Sequence, residues 1–378
     1  MSNLEQDYPA ISDLRARARR RIPRSILAFL EGGTGDDQSV QRNLDGLANV
    51  TLVPRLLKGK LEPKIDTTLL GQSYNAPFGV APVGLSGAIW PQAECLLAKT
   101  AAKYRIPYTL STLAGETPET VGPLAGDMGW FQLYPPRDLH IREDLLKRVK
   151  DNGFRVMVVT ADVPMPSRRE SMARAGLKMP PVISPDFVLQ AALCPAWTVA
   201  TLQAGLPRLK TMEKYANSTQ LSDLLPFVAQ HIGGALSWDY LKELRDLWQG
   251  PLVVKGLLHP ADAERALAIG VEGIQVSNHG GRQFNGTPAA IDSLPAIVAV
   301  AKGRAVVLFD SGVRSGLDIM RALALGADFV LLGRAFQYGV AAFGQTGGDL
   351  AAEILIADLK NNMSQTGCES LAEIRGMR

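Results

Sequence analysis

Eight times between residues 78 and 333, a short apolar run of β-forming residues gives way to a stretch with helical spacing. The runs are FGVAP (78–82), PYTLS (107–111), GWFQLY (129–134), RVMVVTAD (155–162), PLVVKG (251–256), GIQVSN (273–278), AVVLFD (305–310) and DFVLLG (328–333). Runs so short and so apolar suit strands covered on both faces, as in a parallel sheet wrapped by its crossover helices. Eight units and no ninth predict an α/β fold closed into a (β/α)8 TIM barrel, in preference to an open doubly wound sheet. A hydrophobic content of 46% can fill that core.

The rest of the chain reads as additions to a single domain over 1–378. Residues 1–77 predict an N-terminal cap of helices and a short hairpin. Residues 78–347 form the barrel and 348–378 a C-terminal helix. Residues 163–236 interrupt the rhythm after the fourth strand, and an insertion that long usually serves as a lid or binding appendage. Its segment 186–207, DFVLQAALCPAWTVATLQAGLP, is apolar and amphipathic, flanked by Lys178, Arg208, Lys210 and Lys214. Two readings stand open: a lid packed on the barrel or on a neighbouring subunit, and attachment to one face of a membrane.

Forty basic and 37 acidic residues leave a formal charge of +3, too balanced for a nucleic-acid partner. The basic stretch RARARRRIPR (15–24) reads as the solvated face of a first helix, with anionic lipid as the alternative contact. Cys95, Cys194 and Cys368 are scattered and odd in number. That excludes a disulfide framework and a zinc finger, predicts no metal, and suits a reducing compartment. No run reaches the ~18 apolar residues of a spanning helix, and the N-terminus lacks a secretory h-region. The expectation is a cytoplasmic protein, or one peripheral to the inner face of the cell membrane.

In a barrel of this kind the site lies at the C-terminal strand ends. Those ends are Pro82, Val83 and Gly84; Ser111; Gln132 with Tyr134; Thr160 with Asp162; Lys255; Ser277 with His279; Asp310; and Gly333 with Arg334. Every strand brings a polar side chain or a close-approach glycine to one rim. DSGVRSG (310–316) and GRAFQYG (333–339) each end a strand and open a helix. Their glycines, helix N-termini, Arg314 and Arg334 form a phosphate cradle after strands 7 and 8. Lys255 reads as a Schiff-base nucleophile, as a fixed charge over an anion, or, taken alone, as an ordinary lysine snorkelling out at a strand end. Asp162 and His279 can pair across the rim, the carboxylate holding the ring and raising its pKa. Arg282 could fork onto a substrate carboxylate. His140, His231 and His259 read as structural. EGGTGDD (31–37) resembles a nucleotide loop but follows a helix, so a C-cap turn explains it better.

SNHGGRQ, DSGVRSGLDIMRALALGA, LLGRAFQYG, WFQLY and APVGLSGAIWP, in that family's order once placed along the chain, carry a resemblance to the FMN-dependent 2-hydroxy-acid dehydrogenases and oxidases. GLSGAIWP, LWQG and CPAW look most like the membrane-associated (S)-mandelate and L-lactate dehydrogenases of that group. The resemblance spans nearly the whole chain. It implies FMN as cofactor and oxidation of an (S)-2-hydroxy acid, mandelate-like ahead of lactate. Electrons would pass to a quinone or another carrier, and the assembly would be a homotetramer. His279 would be the base and Asp162 its partner, with Arg282, Arg169 and Tyr134 on the substrate. Lys255 would stabilise charge on the flavin N1–O2 locus. Ser111, Gln132, Thr160 and Ser277 would bond the ring and ribityl chain, Pro82 to Gly84 would face the ring, and Asp310, Gly312, Arg314, Gly333 and Arg334 would hold ribityl and phosphate.

Three positions depart from the family pattern. Phe29 stands where a tyrosine usually reaches the substrate carboxylate, which favours a more apolar substrate. Arg282-Gln283-Phe284-Asn285 replaces the usual Arg-Gln-Leu-Asp. Gly84, expected opposite flavin N5, leans toward a dehydrogenase. The alternatives are an oxidase using O2, a flavin-free phosphate-binding isomerase or aldolase, and a barrel kept as a scaffold.

Overall fold

The computed structural model describes residues 3–177, 183–233 and 236–377. Before the barrel come α1 (Asn3–Asp7), α2 (Ile11–Arg21), α3 (Arg24–Glu31), α4 (Gln38–Ala48) and an antiparallel hairpin of β1 (Thr67–Leu69) and β2 (Gln72–Tyr74). Then β3 (Phe78–Val80) leads to α5 (Ser86–Ile89) and α6 (Ala93–Tyr104), β4 (Tyr108–Ser111) to α7 (Pro118–Ala125), and β5 (Gly129–Leu133) to α8 (Leu139–Asp151). After β6 (Val156–Thr160) lies the insertion, with α9 (Glu170–Arg174), α10 (Pro185–Ala192), α11 (Pro195–Ala204), α12 (Lys210–Ala216) and α13 (Leu221–His231), and then α14 (Trp238–Leu247). The rhythm resumes with β7 (Leu252–Lys255), α15 (Pro260–Ile269), β8 (Gly273–Val276), α16 (Ala290–Ala301), β9 (Val306–Phe309), α17 (Gly316–Ala324), β10 (Phe329–Leu332) and α18 (Arg334–Phe343). The chain ends in α19 (Gln345–Thr366) and α20 (Leu371–Ile374), two helices where the sequence suggested one from 348.

All eight expected strands form, and β3 to β10 close into a parallel barrel with β10 paired to β3. Successive side chains on a strand point to opposite faces. Val156, Val158, Val253, Leu308, Phe329 and Leu331 pack together inside the barrel. Met157, Val159, Val254, Ile274 and Val330 belong to the outer core beneath the helices. The hairpin closes the N-terminal end: Tyr74 OH accepts from Trp130 Nε1 at 3.0 Å, and its ring meets Phe329 edge-on at 5.6 Å. With that end plugged by aromatics, the C-terminal mouth is where polar groups can gather.

The basic stretch of α2 is more than a solvated face. Arg17 and Arg21 donate to Ala342 O and Ala341 O at the end of α18 and stack over Phe343 and Trp90. Arg15 pairs with Glu31. The long aliphatic stems and guanidinium planes dock the cap onto the barrel. Of the basic residues flanking 186–207, Lys178 lies outside the described residues. The other three are occupied, Arg208 with Glu213, Lys210 with Glu116 and Lys214 with Asp144.

Candidate active site

Above the apolar layer inside the barrel lies a polar one, built by the same alternation one step further along each strand. Ser111 Oγ donates to Gln132 Oε1 at 2.7 Å, and Gln132 Nε2 donates to Thr160 Oγ1 at 2.8 Å. Lys255 Nζ lies 3.3 Å from Asp162 Oδ2, 3.0 Å from Ser277 Oγ and 3.8 Å from Asp310 Oδ2. Ser277 Oγ donates to Asp310 Oδ1 at 2.5 Å, and Gln275 Nε2 to Asp310 Oδ2 at 2.6 Å. Gly256, at φ +104°, leaves room for Asp162, since a Cβ there would sit 2.5 Å from the Asp162 Cβ.

His279 projects from the loop after β8. Its Nδ1 is 2.8 Å from Asp162 Oδ1 and its Nε2 is 3.4 Å from Tyr134 OH. A carboxylate accepts only, so Nδ1 carries the proton and Nε2 turns its lone pair to Tyr134 and the cleft. Residues 279, 280 and 281 are consecutive left-handed residues, at φ +59°, +66° and +77°. The glycine pair is therefore required rather than merely flexible. A Cβ on Gly281 would fall 2.6 Å from Val40 N, and one on Gly280 would fall 2.9 Å from Arg334 Nη1. His279 is the one side chain carried through this turn.

Charge in the site is unevenly balanced. Burial raises the Asp162 carboxyl, but His279 and Lys255 overcome it and hold the group down at about 2. Burial opposes the Lys255 ammonium, yet Asp162 and Asp310 keep its pKa above the ordinary value. For His279 the sequence suggested a raised pKa. The shift is downward: burial outweighs the help of Asp162, and Lys255 pushes the same way. The imidazole is neutral at neutral pH and ready to accept a proton.

Phe29, Tyr134, Arg169, Lys255, His279, Arg282, Arg314 and Arg334 line one cleft, together with Pro82, Val83, Gly84, Asp310, Gly312 and Gly333. Ser277 and Asp162 stand behind that lining and act on Lys255, Asp310 and His279 through the bonds above, while Ser111, Gln132 and Thr160 bond one another. Arg169 donates to Ser167 Oγ and Gln283 Oε1, while its buried Nη1 has no partner among the described residues. Arg282 Nη1 donates to Phe29 O and Gly32 O, both at 2.8 Å, and Arg334 donates to Leu30 O, Gly280 O and Gly32 O. The Phe29, Leu30 and Gly32 carbonyls close the end of α3, where a helix leaves acceptors free, and Gly280 O belongs to the loop that carries His279. Among the described residues, no carboxylate forms an ion pair with Arg169, Arg282, Arg314 or Arg334. Burial and mutual repulsion press Arg282 well below its ordinary value and Arg334 down to about 10. A guanidinium stays charged regardless, so such pressure measures an unmet demand for anions. A monoanionic carboxylate and a phosphate would meet it, which fits FMN and a 2-hydroxy acid.

Sequence reasoning missed several features. Leu85, Leu113, Leu209 and Leu225 form an apolar wall in the cleft, the last two from the insertion. Gln275 holds Asp310 from inside the barrel, and its Oε1 is buried without a partner among the described residues. Ser311 lines the cleft at φ +90°. EGGTGDD does begin with a C-cap, Gly32, whose N–H donates to Ala28 O, but in extended conformation at φ −65°. Its glycines also allow close approach to the base loop: a Cβ on Gly33 would fall 2.5 Å from Gly281 O, which accepts from Thr34 N at 3.2 Å. Asn285 now has a reason, because its Oδ1 accepts from Ser39 N at 2.9 Å and its O from Arg42, tying cap to loop. Of the other histidines, His259 caps α15 through Nδ1 and His231 stacks on Phe227 at 4.4 Å, both structural tasks.

The sequence from 18 to 377 matches the model of the FMN-dependent dehydrogenase family. The chain is 39% identical over 369 residues to L-lactate dehydrogenase of Ectopseudomonas mendocina, covering 97% of each. It is 39% identical to L-lactate dehydrogenase of Xanthomonas campestris pv. campestris, over 97% of this chain and 95% of that one. Among solved structures, the monotopic membrane protein (S)-mandelate dehydrogenase superposes with a TM-score of 0.93 at 33% identity, over 98% of both chains. A mandelate oxidase superposes at 0.83 and 32% identity, over 98% of this chain and 97% of that one.

Proposed function

The chain belongs to the FMN-dependent dehydrogenase family, and on that premise we propose that it oxidises an (S)-2-hydroxy acid to the 2-oxo acid, passing the electrons to a quinone or another carrier. The observation that carries this is the neutral His279 imidazole, held by the Asp162 carboxylate and sharing one cleft with two arginines that have no carboxylate partner among the described residues. In this proposal His279 Nε2 takes the substrate hydroxyl proton, and Asp162 stabilises the imidazolium that results. Arg169 Nη1 and the free edge of Arg282 grip the substrate carboxylate, with Tyr134 OH beside its hydroxyl, so that the α-carbon is fixed in one orientation. When bound, FMN supplies the acceptor for the two electrons the α-carbon gives up. Pro82 to Gly84, Ser111, Gln132, Thr160, Lys255 and Ser277 would hold its ring and ribityl chain. Asp310, Gly312, Arg314, Gly333 and Arg334 would hold its ribityl and phosphate.

Phe29 and the leucine wall support a mandelate-like side chain ahead of lactate's methyl, because they offer apolar surface and no hydroxyl. Gly84 supports a dehydrogenase over an oxidase. An anaerobic absorbance spectrum of the FMN-loaded protein, before and after (S)-mandelate, is the test. Flavin bands that bleach and return quickly with a quinone but slowly in air support the proposal. Rapid recovery in air makes the enzyme an oxidase, and bands indifferent to every 2-hydroxy acid tried refute it.

Attachment to the inner face of the cell membrane is part of the same proposal. No single helix among the described residues is long and apolar enough to cross a membrane, but α10 and α11 form an apolar pair bent by 106°. Their inner side is anchored, with Gln190 Oε1 accepting from Ser25 N and Trp197 Nε1 donating to Ile89 O. Val188, Leu189, Leu193, Val199 and Leu202 are exposed on the other side, each by more than half. With Arg208, Lys210 and Lys214 spent on internal carboxylates, apolar burial rather than charge would hold the lipid. A homotetramer is the assembly proposed, and the exposed Val53, Leu56 and Leu57 support some apolar contact between copies.

A further inference from the structure

The turn that carries His279 is strained, and the structure says what holds it. A non-glycine residue at positive φ costs energy and persists where its surroundings over-determine it. Three consecutive backbone N–H groups converge on two hydroxyls. Asn278 N and Gly280 N donate to Ser311 Oγ at 3.2 and 3.0 Å, and His279 N donates to Ser277 Oγ at 3.0 Å. Both hydroxyls then donate to one atom, Asp310 Oδ1, at 2.8 Å from Ser311 and 2.5 Å from Ser277. A serine hydroxyl has one donor and two acceptor sites. Ser311 uses all three, and so does Ser277, whose second acceptor site takes Lys255 Nζ.

Ser311 also sits at φ +90°, a conformation that glycine adopts freely and serine does not. Its neighbour Gly312, at φ +95°, obeys that preference. A serine there is favoured by its hydroxyl alone, since the backbone would prefer glycine. We propose that Ser311 is a positioning residue for the base: it gathers the N–H groups on both sides of His279 and anchors them to Asp310, aiming Nε2 into the cleft. The inference rests on His279 being the base.

The substitution Ser311→Gly separates the two contributions, because it relieves the backbone while deleting the hydroxyl. Ser311→Ala deletes the hydroxyl and keeps the backbone preference. Both variants should be prepared FMN-loaded beside His279→Gln, and their flavin reduction by (S)-mandelate followed anaerobically by stopped flow across pH. Both serine variants should keep the wild-type flavin absorbance and a KM within about 3-fold, since the carboxylate clamp is untouched. Their reduction rate should fall on the order of 10- to 100-fold, the cost of a misaimed group. The acid limb of kcat/KM should move up toward the ordinary histidine value, because a loosened ring gains water and burial is the main cause of its depression. A folded, FMN-loaded Ser311→Gly or Ser311→Ala enzyme with wild-type reduction rate and an unmoved acid limb would overturn the proposal. So would a loss confined to KM. Near-normal turnover in His279→Gln would instead refute the base assignment itself, whatever Ser311 does.

Discussion

Replacing Asp162 by asparagine probes the centre of the site without changing its volume. Asp162 Oδ1 is 2.8 Å from His279 Nδ1, and the two side chains are only 11% and 19% exposed. When His279 takes a proton, that pair becomes imidazolium and carboxylate. At this separation and an effective dielectric constant of about 20, the attraction is about 6 kcal/mol. Water entering from the cleft and rearrangement of Lys255 recover part of it, leaving roughly 2–4 kcal/mol lost from the transition state. That corresponds to a fall in kcat/KM of about 30- to 1000-fold. Asparagine adds a second injury, since its amide can donate to Nδ1 and move the ring proton onto Nε2, where a base must have none.

The pH profile supplies the sign. His279 lies below the ordinary 6.5, so wild-type kcat/KM should stay flat down through that value and fall only in more acid solution. Asp162 is the group that resists this depression. Removing it should move the acid limb further toward low pH while the plateau drops. Stability changes in the same direction: with its carboxyl held at about 2, Asp162 contributes fully above its unfolded value near 3.9 and progressively less as pH falls through 2. The variant should lack that acid loss. A plateau within about 3-fold of wild type, or an acid limb displaced upward, would refute the electrostatic assignment.

Three further outcomes are expected. Phe29→Tyr adds a hydroxyl to a ring that lines the cleft 5.4 Å from the Arg282 guanidinium carbon, so KM for lactate should fall about 2- to 10-fold, one net hydrogen bond, while mandelate changes little in steady-state kinetics. Arg282→Met should raise KM for 2-hydroxy acids by about 10- to 100-fold and FMN dissociation, followed by fluorescence, by less than about 3-fold; equal losses would place Arg282 in the fold rather than the clamp. Wild-type protein should pellet with liposomes even at about 1 M salt, where screening acts within about 3 Å, whereas Leu189→Glu with Leu202→Glu should stay in the supernatant and keep turnover with a soluble acceptor.

The barrel was legible because each strand is buried on both faces, so eight apolar runs stand out from everything between them. The rim was legible for a related reason. Inward positions repeat every second residue, and where a buried run ends in Lys255, Ser277 or Asp310 a polar group has been placed inside on purpose or at a cost. What the one-dimensional pattern could not carry is the sign of competing fields. Asp162 and Lys255 both face His279, but only their distances and the depth of burial decide that the ring is depressed. The same limit hid the bonds from Arg282 and Arg334 to the end of α3, which join residues some 250 to 300 positions apart. It also hid the pairing of the basic residues beside 186–207.

Backbone conformation was the deepest gap, and it bears most on function. A histidine followed by two glycines announces a turn, yet nothing in the letters says that the histidine shares the left-handed conformation of the glycines. Nor does DSG announce that its serine occupies a position suited to glycine. Both residues work against their own backbone preference, and the structure joins them indirectly, since Ser311 Oγ accepts from the N–H groups on either side of His279. Where two strained positions are linked through one turn at a cleft, the side chains must be worth more than the strain. That makes Ser311 and His279 one unit, whose energetic coupling a double substitution should reveal: Ser311→Gly ought to cost turnover in the wild-type background and almost nothing once His279 is already glutamine.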